Sequence, residues 1–179
     1  MFNALTLSRK WPFIGKQTSV REELTGLIET SIRQTDTEFD NQEGLLLRNM
    51  LDLRDITAED VMVPRADIVA IDISEGFEAA FRQISAAAHS RVPAYEGNQD
   101  NVRGMLHIKD LVAHSLSPEQ PVLLDLLRPV LFVSPAIRLL DLLQEMRLKR
   151  QHLALVIDEF GGVDGLITIE DLVEEIVGE

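Results

Sequence analysis

The sequence has no cysteine in its 179 residues, which excludes disulfides, thiolate metal centres and cysteine nucleophiles and makes a reducing cytoplasm the default compartment. Long apolar runs are missing as well: the longest unbroken ones are about five residues, far short of the roughly 20 needed to span a bilayer. Direct membrane insertion is therefore not expected. Positive charge is scarce, with 17 Lys and Arg against 30 Asp and Glu and a net charge of -13. That balance argues against binding nucleic acid or an anionic membrane through bulk electrostatics, and leaves only local basic clusters open. Residues 1–18 carry Arg9, Lys10 and Lys16 around Trp11, Phe13 and Ile14, but no apolar segment of signal-peptide length follows, so they are read as a loose N-terminus.

Catalytic signatures are also lacking. No Ser-His-Asp arrangement, phosphate-binding loop or close pair of general acid and base is legible, so the chain is not expected to be an enzyme. His89, His107, His114 and His152 fall in no tight ligand spacing, and no metal site is assigned to them. The acidic group Glu170, Asp171, Glu174, Glu175 and Glu179 reads first as a solvated helix face, with attraction of Mg²⁺ as the sharper alternative.

What remains is 45% hydrophobic and 26% charged, an ordinary balance for a globular protein. Ser19-x-x-Glu22 is a capping-box pattern, and Leu24, Leu27, Ile28 and Ile32 come after it at helical spacing, predicting an amphipathic helix near residues 20–33. A second helix carries Leu46, Leu47, Met50, Leu51 and Leu53, and Thr57 to Asp60 offers a further cap. Residues 19–56 are thus expected to form a helical extension whose apolar faces pack on the domain C-terminal to it.

From residue 60 the chain repeats itself. Asp60-Val-Met-Val-Pro64 is echoed by Asp125-Leu-Leu-Arg-Pro129, and β-like runs follow at Ile68–Ile73 and Val130–Val133. Ser74 and Ser134-Pro135 are the expected starts of the next helices. Then come two strands led by histidine, His89-Ser-Arg-Val-Pro-Ala-Tyr95 and His152-Leu-Ala-Leu-Val-Ile157. Each is followed by a glycine-containing turn and by Gly104-Met-Leu-His-Ile-Lys-Asp110 or Gly165-Leu-Ile-Thr-Ile-Glu-Asp171. The unit reads strand, helix, strand, turn, strand, helix. Copies this small are marginal alone, so two of them packing sheet against sheet is the economical arrangement. The expected boundaries are 57–116 and 122–179, with the proline-containing 117–121 as linker.

The most organised stretch is Leu153–Glu175. A wholly apolar strand, three glycines at 161, 162 and 165, and a T-x-x-D cap at Thr168 and Asp171 succeed one another directly. A helix start of this kind either caps itself or holds an anion.

These residues resemble a cystathionine-β-synthase (CBS) domain pair. His89-Ser-Arg-Val-Pro, Asp158-Glu-Phe-Gly-Gly and Gly165-Leu-Ile-Thr-Ile-Glu-Asp-Leu-Val-Glu-Glu-Ile-Val-Gly-Glu179 resemble its CorC/HlyC (hemolysin-C-like) branch. The resemblance implies an α+β fold, two CBS units each with a small three-stranded sheet and two helices, after the helical extension. It also implies the soluble type, without the C-terminal transporter-associated domain common in that branch.

By the same resemblance an adenine nucleotide, ATP or AMP, with or without Mg²⁺, would bind between the units. Thr168 would hydrogen-bond a phosphate, and Asp171 would accept from the ribose hydroxyls. Val63, Ala66, Ile68 and Val92 would form the adenine slot beside Pro93, and Arg91 would contact phosphate or be held by a protein partner. A second, mirror-related candidate would use Asp110 with Val130, Phe132 and Ala154, but His107 stands where the threonine should be, so the two sites are expected to be unequal. The function implied is a non-catalytic regulatory module of magnesium and cobalt homeostasis or efflux. It would act in the cytoplasm as a homodimer, with a membrane ion transporter as candidate partner and no nucleic acid. The alternative is a structural dimerisation scaffold for such an assembly. A lytic role has no support in an acidic chain without a membrane-inserting amphipathic stretch.

Overall fold

The computed structural model describes residues 20–33 and 41–178. Residues 1–19, 34–40 and 179 lie outside it, and with them the expected loose N-terminus and the Ser19 cap. The chain divides into two units, Met1–Gly44 and Leu45–Glu179. In the first, α1 (Val20–Arg33) forms where the apolar spacing predicts it. Helix α2 (Asn41–Asp52) starts in the first unit and ends in the second.

In the second unit, Leu53 just beyond α2 is 1% exposed, but Leu46, Leu47 and Met50 face solvent. The expectation that this apolar face is covered therefore holds only at its end, where the Asn49 amide also donates to the Ile176 carbonyl at 3.3 Å. The single turn α3 (Ala58–Val61) starts where Thr57 and Asp60 predict: Asp60 Oδ2 accepts from Thr57 N at 2.8 Å and from Thr57 Oγ1 at 2.7 Å. Strand β1 (Val63–Pro64) follows, then a 3₁₀ turn at Arg65–Asp67.

Next are β2 (Ile71–Asp72), α4 (Phe77–Ala87), β3 (Arg91–Glu96), β4 (Asn98–His107) and α5 (Ile108–His114). The second copy is β5 (Leu131–Val133), α6 (Leu139–Lys149), β6 (Leu153–Ile157), β7 (Val163–Thr168) and α7 (Ile169–Val177). The topologies match: β2 is parallel to β3 and β5 to β6, each joined by a helix as parallel pairs require, while β3–β4 and β6–β7 are antiparallel hairpins.

Two helix starts fall later than expected. Asp72 Oδ1 accepts from Ser74 N at 2.9 Å, holding Ser74 in a 3₁₀ turn, and Gly76 with φ 87° leads into α4. Ser134 and Pro135 likewise form a turn, closed by the Ile137 N–H on the Ser134 carbonyl at 3.1 Å, and α6 begins at Leu139. Short polar side chains satisfy nearby turn amides as readily as helix caps, and sequence alone does not separate the two.

The sheets also differ from two separate three-stranded ones. The first has the order β2-β3-β4, but the second is β1-β7-β6-β5, its edge strand supplied by the first copy. Pro64 is tolerated there because an edge strand leaves room for a residue that cannot donate. The reciprocal pairing is reduced to one bridge, Arg128 with Met105, whose N–H groups bond each other's carbonyls at 2.9 Å in both directions.

Alternation along the strands separates three cores. Ile71, Ile84, Val92 and Leu106 pack under α4 and α5, and Leu142, Met146, Ala154 and Ile167 under α6 and α7. Met105, Leu153, Leu155 and Val163 fill the space between the sheets, with Ile68 and Val130 against them. Sheet-on-sheet packing is thus what joins the copies.

Candidate functional site

Thr168 ends β7 and caps α7. Its N–H donates to Asp171 Oδ2 at 2.7 Å, and the Asp171 N–H donates back to Thr168 Oγ1 at 3.3 Å. Among the described residues the other Asp171 oxygen, Oδ1, carries no hydrogen bond, so the carboxylate retains accepting capacity after capping its helix.

Because β1 lies beside β7, with Val63 opposite Leu166, the first copy reaches this corner. Gly165 permits the approach: a Cβ on it would lie 2.3 Å from Met62 Sδ and 2.9 Å from Met62 Cβ. Val63 and Asp171 then line one recess of about 520 Å³, shared with Asn49, Val61, Glu174 and Glu175. That size is in the range of small-molecule sites. Arg91, at the start of β3, reaches the same helix from the other side, with its guanidinium 3.8 Å from Glu170 Oε1. Of the expected contacts, Val63 and Asp171 line the recess itself, while Thr168 and Arg91 are not part of its wall.

The other residues expected here are placed elsewhere. Ala66 is exposed in the turn after β1. Ile68 and Pro93 line a cavity of about 20 Å³ between the sheets, with Tyr95 and Leu155. A space of that size holds about one water molecule, not an adenine ring. Val92 is 1% exposed in the core under α4, because Pro93 and not Val92 faces the opposite sheet. The expected adenine slot is accordingly not gathered in one place, and only Val63 of its members borders the recess.

The mirror-related corner is built differently. His107 caps α5, its Nδ1 accepting from Lys109 N at 3.1 Å. Burial, then the nearby Arg91 and Arg128, hold its pKa below the usual histidine value. Both oxygens of Asp110 are taken by Arg128, Nε to Oδ2 at 2.7 Å and Nη2 to Oδ1 at 2.8 Å. This fork-to-fork pair is what lowers the Asp110 pKa. Of the remaining candidates, Val130 packs against the inter-sheet core, Phe132 is 45% exposed, and Ala154 is fully buried under α6. Ala154, like Val92, offers a ligand no surface.

Three residues that matter here are not among the expected nucleotide contacts. Arg128 was legible, because aligning Asp60–Pro64 with Asp125–Pro129 puts it at the position of Val63. Glu170 faces Arg91 across the copies. Arg65 donates to the Val163 carbonyl at 2.9 Å and to Asp100, and Asp100 Oδ1 accepts from Val163 N at 3.0 Å, tying the β3–β4 hairpin to β7. Nothing in the sequence marks that three-way contact.

The CBS-domain family model matches residues 58–117 and again 124–178. The chain belongs to the CBS-domain family. Among curated relatives of the CBS pair, a protein named hemolysin C homolog from Rickettsia rickettsii (strain Sheila Smith) is 47% identical over 137 residues, 76% of this chain and 46% of the relative. The chain thus spans about half the length of that relative. Among solved structures, the CBS domain of a bacterial CNNM/CorC family Mg²⁺ transporter in complex with ATP superimposes with TM-score 0.72 at 34% identity, covering 77% of this chain and 99% of the other. A CBS-domain pair with bound AMP from Klebsiella pneumoniae gives TM-score 0.60 at 32% identity, covering 69% and 99%. Among the described residues of the CBS pair no helix is long and apolar enough to cross a membrane.

Proposed function

We propose that this CBS pair is a non-catalytic regulatory module that binds an adenine nucleotide, ATP or AMP, at the Thr168–Asp171 corner. The observation that carries the reading is that Val63 and Asp171, from opposite copies, line one recess of about 520 Å³. The solved relatives with ATP and AMP supply the ligand class. Asp171 accepts from the ribose, Thr168 keeps its hydroxyl hydrogen available for phosphate, and Arg91 adds positive charge from the first copy. Glu174 and Glu175 line the same recess. Bare phosphates beside them would be repelled, so the ligand is the Mg²⁺-loaded nucleotide or one whose phosphates turn toward Arg91.

The module acts in the cytoplasm as a homodimer and reports nucleotide or Mg²⁺ levels to an ion-efflux system, the role suggested by its transporter relatives. Titration calorimetry with ATP and AMP, with and without Mg²⁺, tests the binding. Asp171→Asn keeps an acceptor for the Thr168 N–H and removes the charge. It is expected to weaken binding about 10- to 100-fold, the worth of a hydrogen bond to a charged group. Unchanged affinity would refute the site.

A scaffold without ligand sensing is the second reading. It is favoured by Leu140 and Leu148, which are 38% and 77% exposed on α6 beside a recess they share with Leu143 and Arg147. It predicts dimers by light scattering without nucleotide and no heat of binding in any titration.

A further inference from the structure

We infer that Arg128, half exposed and held on Asp110, is a built-in plug that closes the second, pseudo-symmetric corner of this CBS pair, so that the chain binds one nucleotide and not two. The inference rests on the nucleotide-binding reading above and adds its stoichiometry and the residue that sets it.

The two corners are equivalent by register. Val63 stands opposite Leu166 on β7, and Arg128 stands opposite Met105 on β4. Leu166 precedes Thr168 by two residues and Asp171 by five, as Met105 precedes His107 and Asp110. The corners therefore share a register and an aspartate, and the first difference between them is the side chain that the opposite copy lays beside it. At the first corner that side chain is a valine, which has no group for a carboxylate, and Asp171 lines an open recess. At the second it is a guanidinium that occupies both oxygens of Asp110 at 2.7 and 2.8 Å.

A bidentate pair takes one lone-pair site on each carboxylate oxygen and sets the five-donor guanidinium in front of both, so a ribose diol approaching from that side would have to displace Arg128. His107 adds to the closure. Its ring fills a position 7% exposed, and Nδ1 is already committed to the Lys109 N–H. No hydroxyl is offered there. The position equivalent to Arg91 is held by Leu153, paired with Thr168 as Arg91 is with His107 and 1% exposed in the inter-sheet core, so it adds no cation to the second corner from the opposite copy.

Calorimetric stoichiometry with ATP and Mg²⁺ tests the plug. The native chain is expected to bind one nucleotide per chain, and the double variant Arg128→Val, His107→Thr, which copies the valine and threonine of the first corner and leaves Leu153 in place of its cation, is expected to bind two. Adding Asp171→Asn to the double variant should leave one, now lost with Asp110→Asn. If both chains bind one, the plug is refuted while the first site stands. Two per native chain also refutes it, and no binding by either chain refutes the plug together with the reading beneath it. Should the double variant fail to fold, Arg128→Met keeps the aliphatic stem and the backbone bridge to Met105. Nucleotide-dependent shifts of the Ile108–Leu111 amides are then the readout: their appearance in Arg128→Met supports the plug, and their absence overturns it.

Discussion

Asp171 and Asp110 close equivalent turns, yet one caps its helix and faces an open recess while the other is locked by Arg128. What lies against each aspartate differs, Val63 or Arg128, and so does the cap beside it, Thr168 or His107. Asp110→Asn should therefore leave nucleotide affinity unchanged within about twofold, whereas Asp171→Asn weakens it; calorimetry on the two variants checks this. His107 carries a pH prediction. Its folded pKa lies below the ordinary value of 6.5, so below about pH 6.5 the unfolded chain takes up a proton that the folded chain resists. The stability it contributes is present above that pH and is lost as pH falls through the folded pKa. Thermal melts of the native chain and of His107→Asn, which keeps a capping acceptor, should diverge in slope between about pH 5 and 7. Parallel slopes would show that His107 titrates the same in both states.

At the scale of elements, the repeat was readable because strand and helix periodicities recur in the same order in both copies. The T-x-x-D cap of α7 was readable too, since Thr168 and Asp171 act on amides within their own turn. The starts of α4 and α6 were not, because Ser74 and Ser134 satisfy turn amides one step before the helix. Nor was the exchange of β1 into the second sheet, a two-residue pairing with no pattern of its own. Faces were misread where strand register decides them: Val92 and Ala154 turn to the helix side, and their neighbours Pro93 and Leu155 turn to the opposite sheet. The close approach of the copies has its own test in Gly104. Its φ is +156°, and a Cβ would meet the Arg128 carbonyl oxygen at 2.6 Å. Gly104→Ala is expected to cost about 2 kcal/mol by chemical denaturation. A cost under about 0.5 kcal/mol would mean that the backbone shifts without penalty.

For the whole CBS pair, the copies complete one another. The second sheet takes β1 from the first copy, and Leu153, Leu155 and Val163 are buried against Met105 across the sheets. A chain of residues 122–179 alone would expose that apolar face and lack its edge strand, so it should show no dispersed amide spectrum, while residues 45–179 unfold in one cooperative step. Two separate transitions in the longer chain would contradict this interdependence. The same interdependence places Val63 and Arg91 of one copy beside the α7 start of the other. The most direct measurement is a calorimetric titration of the chain with Mg²⁺–ATP, run in parallel on Asp171→Asn. The account predicts saturable binding at one nucleotide per chain that the variant weakens at least tenfold, and equal binding by the two proteins, or none by the native chain, would contradict it.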